Sequence, residues 1–304
     1  AKVQAEIAAE TVAIRAFEAW IDLNRKRRTL EVYQNGLLLA EPILGRIENI
    51  STSGLSDKAM LLKGQQDFAK LQVAVETANS ALAGAQAVFN ESFPGVQAIF
   101  LESLKRPKVL QGDEAKKSML KMSASLRAQD ILMRSYEAEY DSLLAQKKPN
   151  VAMRADITAP AENTLQDSSA NVGVLLNYVF NDGGRLESQI EALKLQIKVS
   201  RQQRKNNIRE LELQLEVATR SYQGALKTYQ SMVDLVNFSQ EVRDTSRAQL
   251  ETGRSKIQDV LSAEVTLAEN RIQLLNAEAE ATLSSYRVEA LTRGLTKKLG
   301  WKPF

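Results

Sequence analysis

Neither cysteine nor histidine occurs anywhere in the chain. Thiolate nucleophiles, disulfides, thiolate or imidazole metal ligation and the usual neutral-pH general base are therefore all unavailable. The carboxylates, lysines and arginines that remain assemble no convergent acid, base and nucleophile set, so neither an enzyme nor a bound cofactor is expected. Asp259 stands out by position, just after a glycine turn at the start of a helical run, where the helix dipole favours an ordinary solvated carboxylate. Lys105, Arg106 and Lys108 form a small basic cluster that reads as solvated surface. Across 304 residues, 40 Lys+Arg against 37 Asp+Glu leave a net charge of +3. That is too balanced for an affinity built on neutralising a phosphate backbone, and no nucleic-acid partner is expected. A cysteine-free chain suits an oxidising compartment, where a stray thiol is a liability. The chemistry on offer is that of surfaces.

Those surfaces are set by elements with little punctuation. Prolines stand at 42, 94, 107, 149, 160 and 303, so residues 161–302 contain none, and glycines number 14 in all. Such a chain forms long helices. From Arg185 to Glu251, apolar residues such as Leu186, Ile190, Leu193, Ile197, Ile208, Leu211 and Leu215 recur at three-to-four spacing, predicting a helix about 100 Å long. A second run, Ser255 to Arg293, follows Gly253, which supplies a tight reversal and makes the pair a long antiparallel coiled-coil hairpin. The first third repeats this plan: helix from Ala1 past Trp20, a break around Gly36, Pro42 and Gly45, helix again to Ser53, a turn at Gly54, and a return to about Phe93. Ser53-Gly54-Leu55-Ser56 lies over Thr252-Gly253-Arg254-Ser255 at an offset of 199, and Trp20 over Tyr222 at 202, an internal duplication. Trp20 and Tyr222 read as packing residues.

Between the hairpins, Pro94 to Gly112 is irregular and helix resumes from Glu114 to about Lys147. Then the period falls to two: Val151, Met153, Ala155, Ile157 alternate with Ala152, Arg154, Asp156, Thr158, and after a polar loop from Pro160 to Ser169, Val172, Val174, Leu176, Tyr178 and Phe180 alternate with their neighbours. Asn181-Asp182-Gly183-Gly184 closes the second strand and opens the long helix. Strands of about nine to eleven residues ending in aromatics have the dimensions of transmembrane barrel strands, while an ordinary hairpin packed on helices is the other reading of the same residues. No run of apolar residues is long enough for a membrane-spanning helix, and no charged n-region followed by an apolar h-region opens the chain at Ala1, so the start reads as processed or trimmed. The expected fold is mainly α, with a helical hairpin over 1–95 (tip near 54), an irregular connection over 96–113, an entry helix over 114–148, a strand pair over 149–182 and a long hairpin over 183–304 (tip near 253).

Three stretches carry a family resemblance. NVGVLLNYVFNDGGRLE (171–187) resembles the strand, Phe, Asp-Gly-Gly-Arg element of the TolC-like outer-membrane efflux proteins. LETGRSKIQDVLSAEVTLAENRIQLLNAEAEATLSSYRVEALTRGLTKKLG (250–300) is similar to that family's Gly-x-x-x-x-x-Asp-Val-Leu tip and returning helix, and LLAQKKPNVAM (143–153) to its helix, Pro, strand entry. The resemblance covers about 115–300 well and 1–95 more weakly. It implies a homotrimer whose strands join one shared outer-membrane β-barrel and whose helices form a periplasmic tunnel. Such a channel passes small molecules or proteins from an inner-membrane pump and periplasmic adaptor (membrane fusion protein), in efflux or type I secretion, in a Gram-negative bacterium.

Residue by residue, the resemblance implies that Gly54, Leu55, Ser56, Gly253, Arg254 and Ser255 are tips offered to the adaptor. It implies that Asp259 narrows the periplasmic aperture, with Ser262 where the family has a second acid. Val172, Val174, Leu176, Tyr178 and Phe180 would meet outer-membrane lipid, and Gly183 and Gly184 would join strand to helix. By the duplication offset, residue 1 matches about residue 200, so about 90 residues of the first repeat, its helix and strand pair, are expected to be missing or removed from this chain. The rival expectation is a soluble coiled-coil scaffold with a β-hairpin docking element. A hairpin adaptor would carry lipoyl-like and barrel segments rich in Gly and Val, which are not seen.

Overall fold

The computed structural model describes residues 2–52, 58–96, 104–158, 169–178 and 182–296. Eight elements follow in order: α1 (Lys2–Thr52), α2 (Lys58–Ser92), α3 (Gly112–Met122), α4 (Ala124–Gln146), β1 (Asn150–Thr158), β2 (Ser169–Asn177), α5 (Arg185–Glu251) and α6 (Ile257–Thr292). They form two compact units, one of residues 1–123 with 211–304 and one of residues 124–210. The chain is thus mainly helical with a small antiparallel sheet, and the long uninterrupted run from Arg185 to Glu251 is one helix.

Two helix boundaries differ from expectation. The break around Gly36, Pro42 and Gly45 does not occur, because α1 runs through it with Pro42 inside. Proline deprives the carbonyl four residues back of its partner, here that of Leu38. Leu38 and Pro42 both lie on the exposed side, where water can satisfy the orphan, while Gly36, Ala40 and Ile47 hold the opposite side buried. Conversely, the helix expected from Glu114 to Lys147 is divided at Ser123, which leaves the helical region at φ −59°, ψ 114° while its N–H still reaches Met119 O. Flanking serines 123 and 125 favour such a stop, since their hydroxyls compete for backbone groups.

In the first unit α6 is the central helix, buried along most of its length. Near the turn between α5 and α6, Ile257, Leu261 and Val265 pack with Ala40, Ile47 and Leu71 of α1 and α2. Further along, Tyr286 and Leu295 join Ala13, Phe17 and Ile21 of α1, with Phe17 and Tyr286 stacked at 4.5 Å. Val288 meets Leu215 of α5 and Ala115 and Met119 of α3, with Tyr222 alongside, and Trp20 packs edge-on against Phe93 beside Leu23 and Phe89. Trp20 and Tyr222 are packing residues, as expected. The segment after residue 103 is strapped onto α6 by Tyr286 Oη donating to Lys105 O (3.0 Å). Burial, then the nearby Glu289 carboxylate, holds the Tyr286 phenol above its ordinary range, so it stays a donor at physiological pH. Arg106 departs from the solvated reading: its guanidinium lies 4.4 Å over the Tyr229 ring.

Buried charge is confined to helix contacts. Gln258 Nε2 donates to buried Asp67 at 3.1 Å, linking α6 to α2. Glu264, only 3% exposed, receives Arg247 at 2.7 Å and Arg243 at 3.4 Å from α5. Removing one member of such a group leaves the others desolvated without a counter-charge. Glu264→Ala is therefore expected to destabilise the first unit by about 3 kcal/mol, read as a lower denaturant midpoint by circular dichroism, whereas Glu216→Ala, which removes an exposed pair with Arg220, should cost less than about 0.5 kcal/mol.

Candidate functional site

In the second unit Ile190, Leu193 and Ile197 of α5 and Leu126 of α4 are buried, and paired charges link the two helices. Arg204 of α5 makes a two-pronged contact with Asp130 of α4 (2.6 and 3.3 Å), Arg201 reaches Glu137 at 3.0 Å, and Lys147 meets Glu187 at 2.5 Å where the helices approach the strands. That last pair draws together the entry and exit of the β-hairpin. At the exit, Gly183 and Gly184 have φ of 69° and 82°, a left-handed conformation that side chains with a Cβ rarely adopt. Asp182 then turns its carboxylate onto the start of α5, accepting from Leu186 N (2.7 Å) and Gly184 N (3.1 Å). The junction is a reversal with its own cap.

The hairpin has two unlike faces. β1 and β2 are antiparallel, with Val151 opposite Leu176, Met153 opposite Val174, Ala155 opposite Val172 and Ile157 opposite Ala170. Directly opposed residues share a face, so these eight side chains form one continuous apolar surface. It is open: Met153 is 77% exposed, Ile157 82% and Val174 71%. The other face carries Asn150, Arg154, Asp156, Asn171 and Asn177, with Arg154 Nε 2.8 Å from Asp156. Among the described residues the two strands pair only with each other, leaving both outer edges without ladder partners. Val172, Val174 and Leu176 are thus brought together on the apolar face, and Tyr178 follows just beyond β2, 44% exposed; Phe180 lies outside the described residues. The β1 half of this face, Val151, Met153 and Ile157, was not among the expected lipid-facing residues, although its period of two was readable. Leu175 breaks the alternation and stands exposed on the polar face.

At the far end of α5, Gly253 takes φ 72°, and Arg254 N and Ser255 N both return to Gln249 O at 2.8 and 3.3 Å, closing the helix. Arg254 is exposed and Ser255 half-buried. Asp259, exposed in the first turn of α6, accepts from Lys256 N at 3.0 Å and from Ser255 Oγ at 3.2 Å. It is the acidic half of a capping box, a role that sequence reasoning narrowed only to helix-end stabilisation. Ser262 sits half-buried one turn further along the same helix. Gly54, Leu55 and Ser56 lie outside the described residues. No cluster of three or more acidic side chains able to hold a metal, and no helix long and apolar enough to cross a membrane, occurs among the described residues.

A family model described as outer membrane efflux protein matches residues 116–292, more than half of the chain. In fold the chain is similar to a membrane protein from Pseudomonas aeruginosa, with 15% identity and a TM-score of 0.75 over 96% of this chain and 68% of that one. It is similar also to the outer membrane protein VceC from Vibrio cholerae (16%, 0.71, over 96% and 72%) and to the open state of the MtrE outer membrane channel of Neisseria gonorrhoeae (12%, 0.72, over 96% and 68%). At such identities the likeness speaks to fold alone. No curated protein sequence matches the chain. The efflux motifs at 143–153, 171–187 and 250–300 and the family match over 116–292 point the same way, and the chain belongs to the outer membrane efflux protein family, a family of channels.

Proposed function

We propose that this chain is one protomer of a trimeric outer-membrane channel through which small molecules or proteins leave a Gram-negative cell. The observation that carries the reading is the β-hairpin: an eight-residue apolar face turned to its surroundings, with both ladder edges unpaired. Unpaired backbone groups cost several kcal/mol each in hydrocarbon, so such a hairpin becomes stable in lipid only when further strands close its edges. Strands from other copies, and from a first-repeat strand pair if the duplication extends that far, would complete a barrel. The apolar face then meets lipid and the face of Arg154, Asp156 and Asn171 meets the lumen. A soluble scaffold would have to cover the apolar face with protein.

In the same reading α1, α2, α5 and α6 form the periplasmic tunnel wall. Gly54, Leu55 and Ser56, together with the turn at Gly253-Arg254-Ser255, engage a periplasmic adaptor that bridges to an inner-membrane pump. Asp259 stands at the aperture in three copies with Ser262 in place of a second acid, so the ring carries three charges, each already blunted by its capping bonds.

Because the chain has no cysteine, single substitutions report without background. In protein reconstituted into liposomes, cysteines at Asn171 and Asp156 are expected to react with a water-soluble maleimide, and cysteines at Val174 and Met153 to react only after detergent is added; equal labelling of both faces would remove the barrel assignment. Leu176→Arg should impair membrane assembly, by about 2–4 kcal/mol if it lies at mid-bilayer and by less if its place one pair from the helix-side end of the hairpin sets it near the interface, while Asn177→Arg, on the opposite face, should be tolerated. At the tip, Asp259→Asn keeps an oxygen able to cap α6 while removing the charge. It should weaken divalent-cation block and cation selectivity in planar bilayers without changing assembly, and unchanged electrical properties would reduce Asp259 to a helix cap.

A further inference from the structure

Lys105, Arg106 and Lys108, read in the sequence as solvated surface, belong to a wider patch once α3 is placed beside them. Residues 104–122 carry six cations (Lys105, Arg106, Lys108, Lys116, Lys117 and Lys121) against two carboxylates (Asp113 and Glu114), a local excess of four. The whole chain has a net charge of +3, so all its other residues taken together are close to neutral. This short segment holds the positive charge of the protein.

The fold gathers these residues over one end of α6. Tyr286 Oη donates to Lys105 O (3.0 Å), Arg293 Nη1 to Lys108 O (3.4 Å) and Ser118 Oγ to Thr292 O (2.6 Å). The segment before α3 and α3 itself are thereby tied down within about two turns of one helix, a rise of about 10 Å. With the backbone carbonyls of Lys105 and Lys108 held by α6, their side chains stand exposed. In α3, Ala115 and Met119 are buried with Leu215 and Val288, which leaves Lys116, Lys117 and Lys121 on its open side. Arg106 is drawn inward over Tyr229, and exposed Arg293 adds a charge at the rim.

These lysines differ from many cations elsewhere in the first unit. Arg28, Arg220, Arg247 and Arg287 each meet a carboxylate at 3.1 Å or less. Among the described residues, none of Lys105, Lys108, Lys116, Lys117 and Lys121 has a carboxylate partner. Asp113 and Glu114 stand in the first turn of α3, where the helix dipole holds them. Like charges so near one another repel, and an anion lying across them relieves the repulsion. The residue types say what kind of anion. A single carboxylate or phosphate gripped at one point calls for the planar fork of arginine, whereas lysine is a flexible point charge suited to anions spaced along a polymer. A protein partner would meet an apolar or aromatic centre from which lysine is depleted, and a lipid surface would take up apolar side chains. Within 104–122 the one large apolar side chain that stands exposed is Leu120, at 38%.

We propose that the lysine belt formed by residues 105–108 and α3 binds a polymer bearing spaced carboxylates, the chemistry that cell-wall peptidoglycan presents in the compartment assigned above to the helices. The belt needs neither trimer nor barrel; only the choice of polymer rests on the outer-membrane reading.

The test uses the detergent-purified protein and isolated peptidoglycan sacculi, which sediment with whatever they hold. The protein is expected in the pellet at about 0.15 M salt and in the supernatant at about 1 M. A variant carrying Lys105→Gln, Lys108→Gln, Lys117→Gln and Lys121→Gln is expected to stay in the supernatant at the lower salt. A second, carrying Lys58→Gln, Lys198→Gln, Lys205→Gln and Lys227→Gln, loses four exposed lysines outside the belt and is expected to sediment as the unaltered protein does. Both variants have the same net charge, so equal loss in the two would reduce the effect to overall charge and overturn the proposal. Retention of both would also overturn it, leaving the belt to an acidic protein or to lipid headgroups, as would an unaltered protein that does not sediment at the lower salt. Amidation of the sacculus carboxylates should abolish sedimentation, and binding that survives it means that carboxylates are not what the lysines meet. Loss confined to the belt variant, in a protein whose two hairpin faces label equally, would keep the belt while removing the barrel.

Discussion

A helix of 67 residues cannot hold a straight course on its own hydrogen bonds, because in water each of those bonds competes with solvent and most helical stability comes from lateral packing. The lateral support of α5 comes from α6 in one unit and from α4 in the other, and the two supports differ in kind. Beside α6 the seam is apolar, with Leu215 and Val236 buried and the single carboxylate of Glu264 enclosed by two arginines. Beside α4 the seam is polar, a ladder of Arg204 to Asp130, Arg201 to Glu137 and Lys147 to Glu187, with Ile190, Leu193 and Ile197 supplying the buried apolar contacts from α5. Exposed ion pairs fix register at little gain in stability. The polar seam therefore aligns the helices that carry the β-hairpin, while the apolar seam around α6 does most of the holding.

Much of this was legible in the sequence because helices and strands announce themselves by period. The span of α5 could be read from breaker-free periodicity, and the β-hairpin from the fall to a period of two after Pro149. What was not legible came from context. Pro42 reads as a break, and whether it breaks depends on which side of the helix it occupies, a fact of tertiary packing: the carbonyl it orphans points to water, so α1 continues. The stop at Ser123 is the converse, a weak local preference that decides a boundary because few contacts oppose it. Arg106 looked like part of a solvated basic cluster, yet a tyrosine more than a hundred positions away in the chain gives its guanidinium a flat face to cover.

The candidate site divides the same way. The two faces of the hairpin follow from alternation once the register is known, but alternation alone is satisfied by any shift of two residues, so the register itself, Val151 to Leu176 through Ile157 to Ala170, needed the structure. Asp259 was findable as a helix-end carboxylate. That its oxygen already serves Lys256 N and Ser255 Oγ needed the geometry, and this bears on how much charge it presents to its surroundings.

The connectivity of the two units has a consequence in time. Residues 124–210 interrupt the first unit, whose core is built from α1 and α2 before the interruption and α6 after it. Arg28 finds Glu278, and Glu18 finds Arg287, only when some 250 further residues have been made. A chain delivered from its N-terminus at about 5–20 residues per second leaves the apolar stripes of α1 and α2 waiting on the order of ten seconds or more for the helix that covers them. During that interval Phe17, Ile21, Ala40 and Ile47 are an adhesive surface, and contacts so distant in sequence close slowly. Until α6 arrives, the stripes that its side chains later cover remain open to non-native contacts, so the last-made helix decides when the first two are committed to the native core.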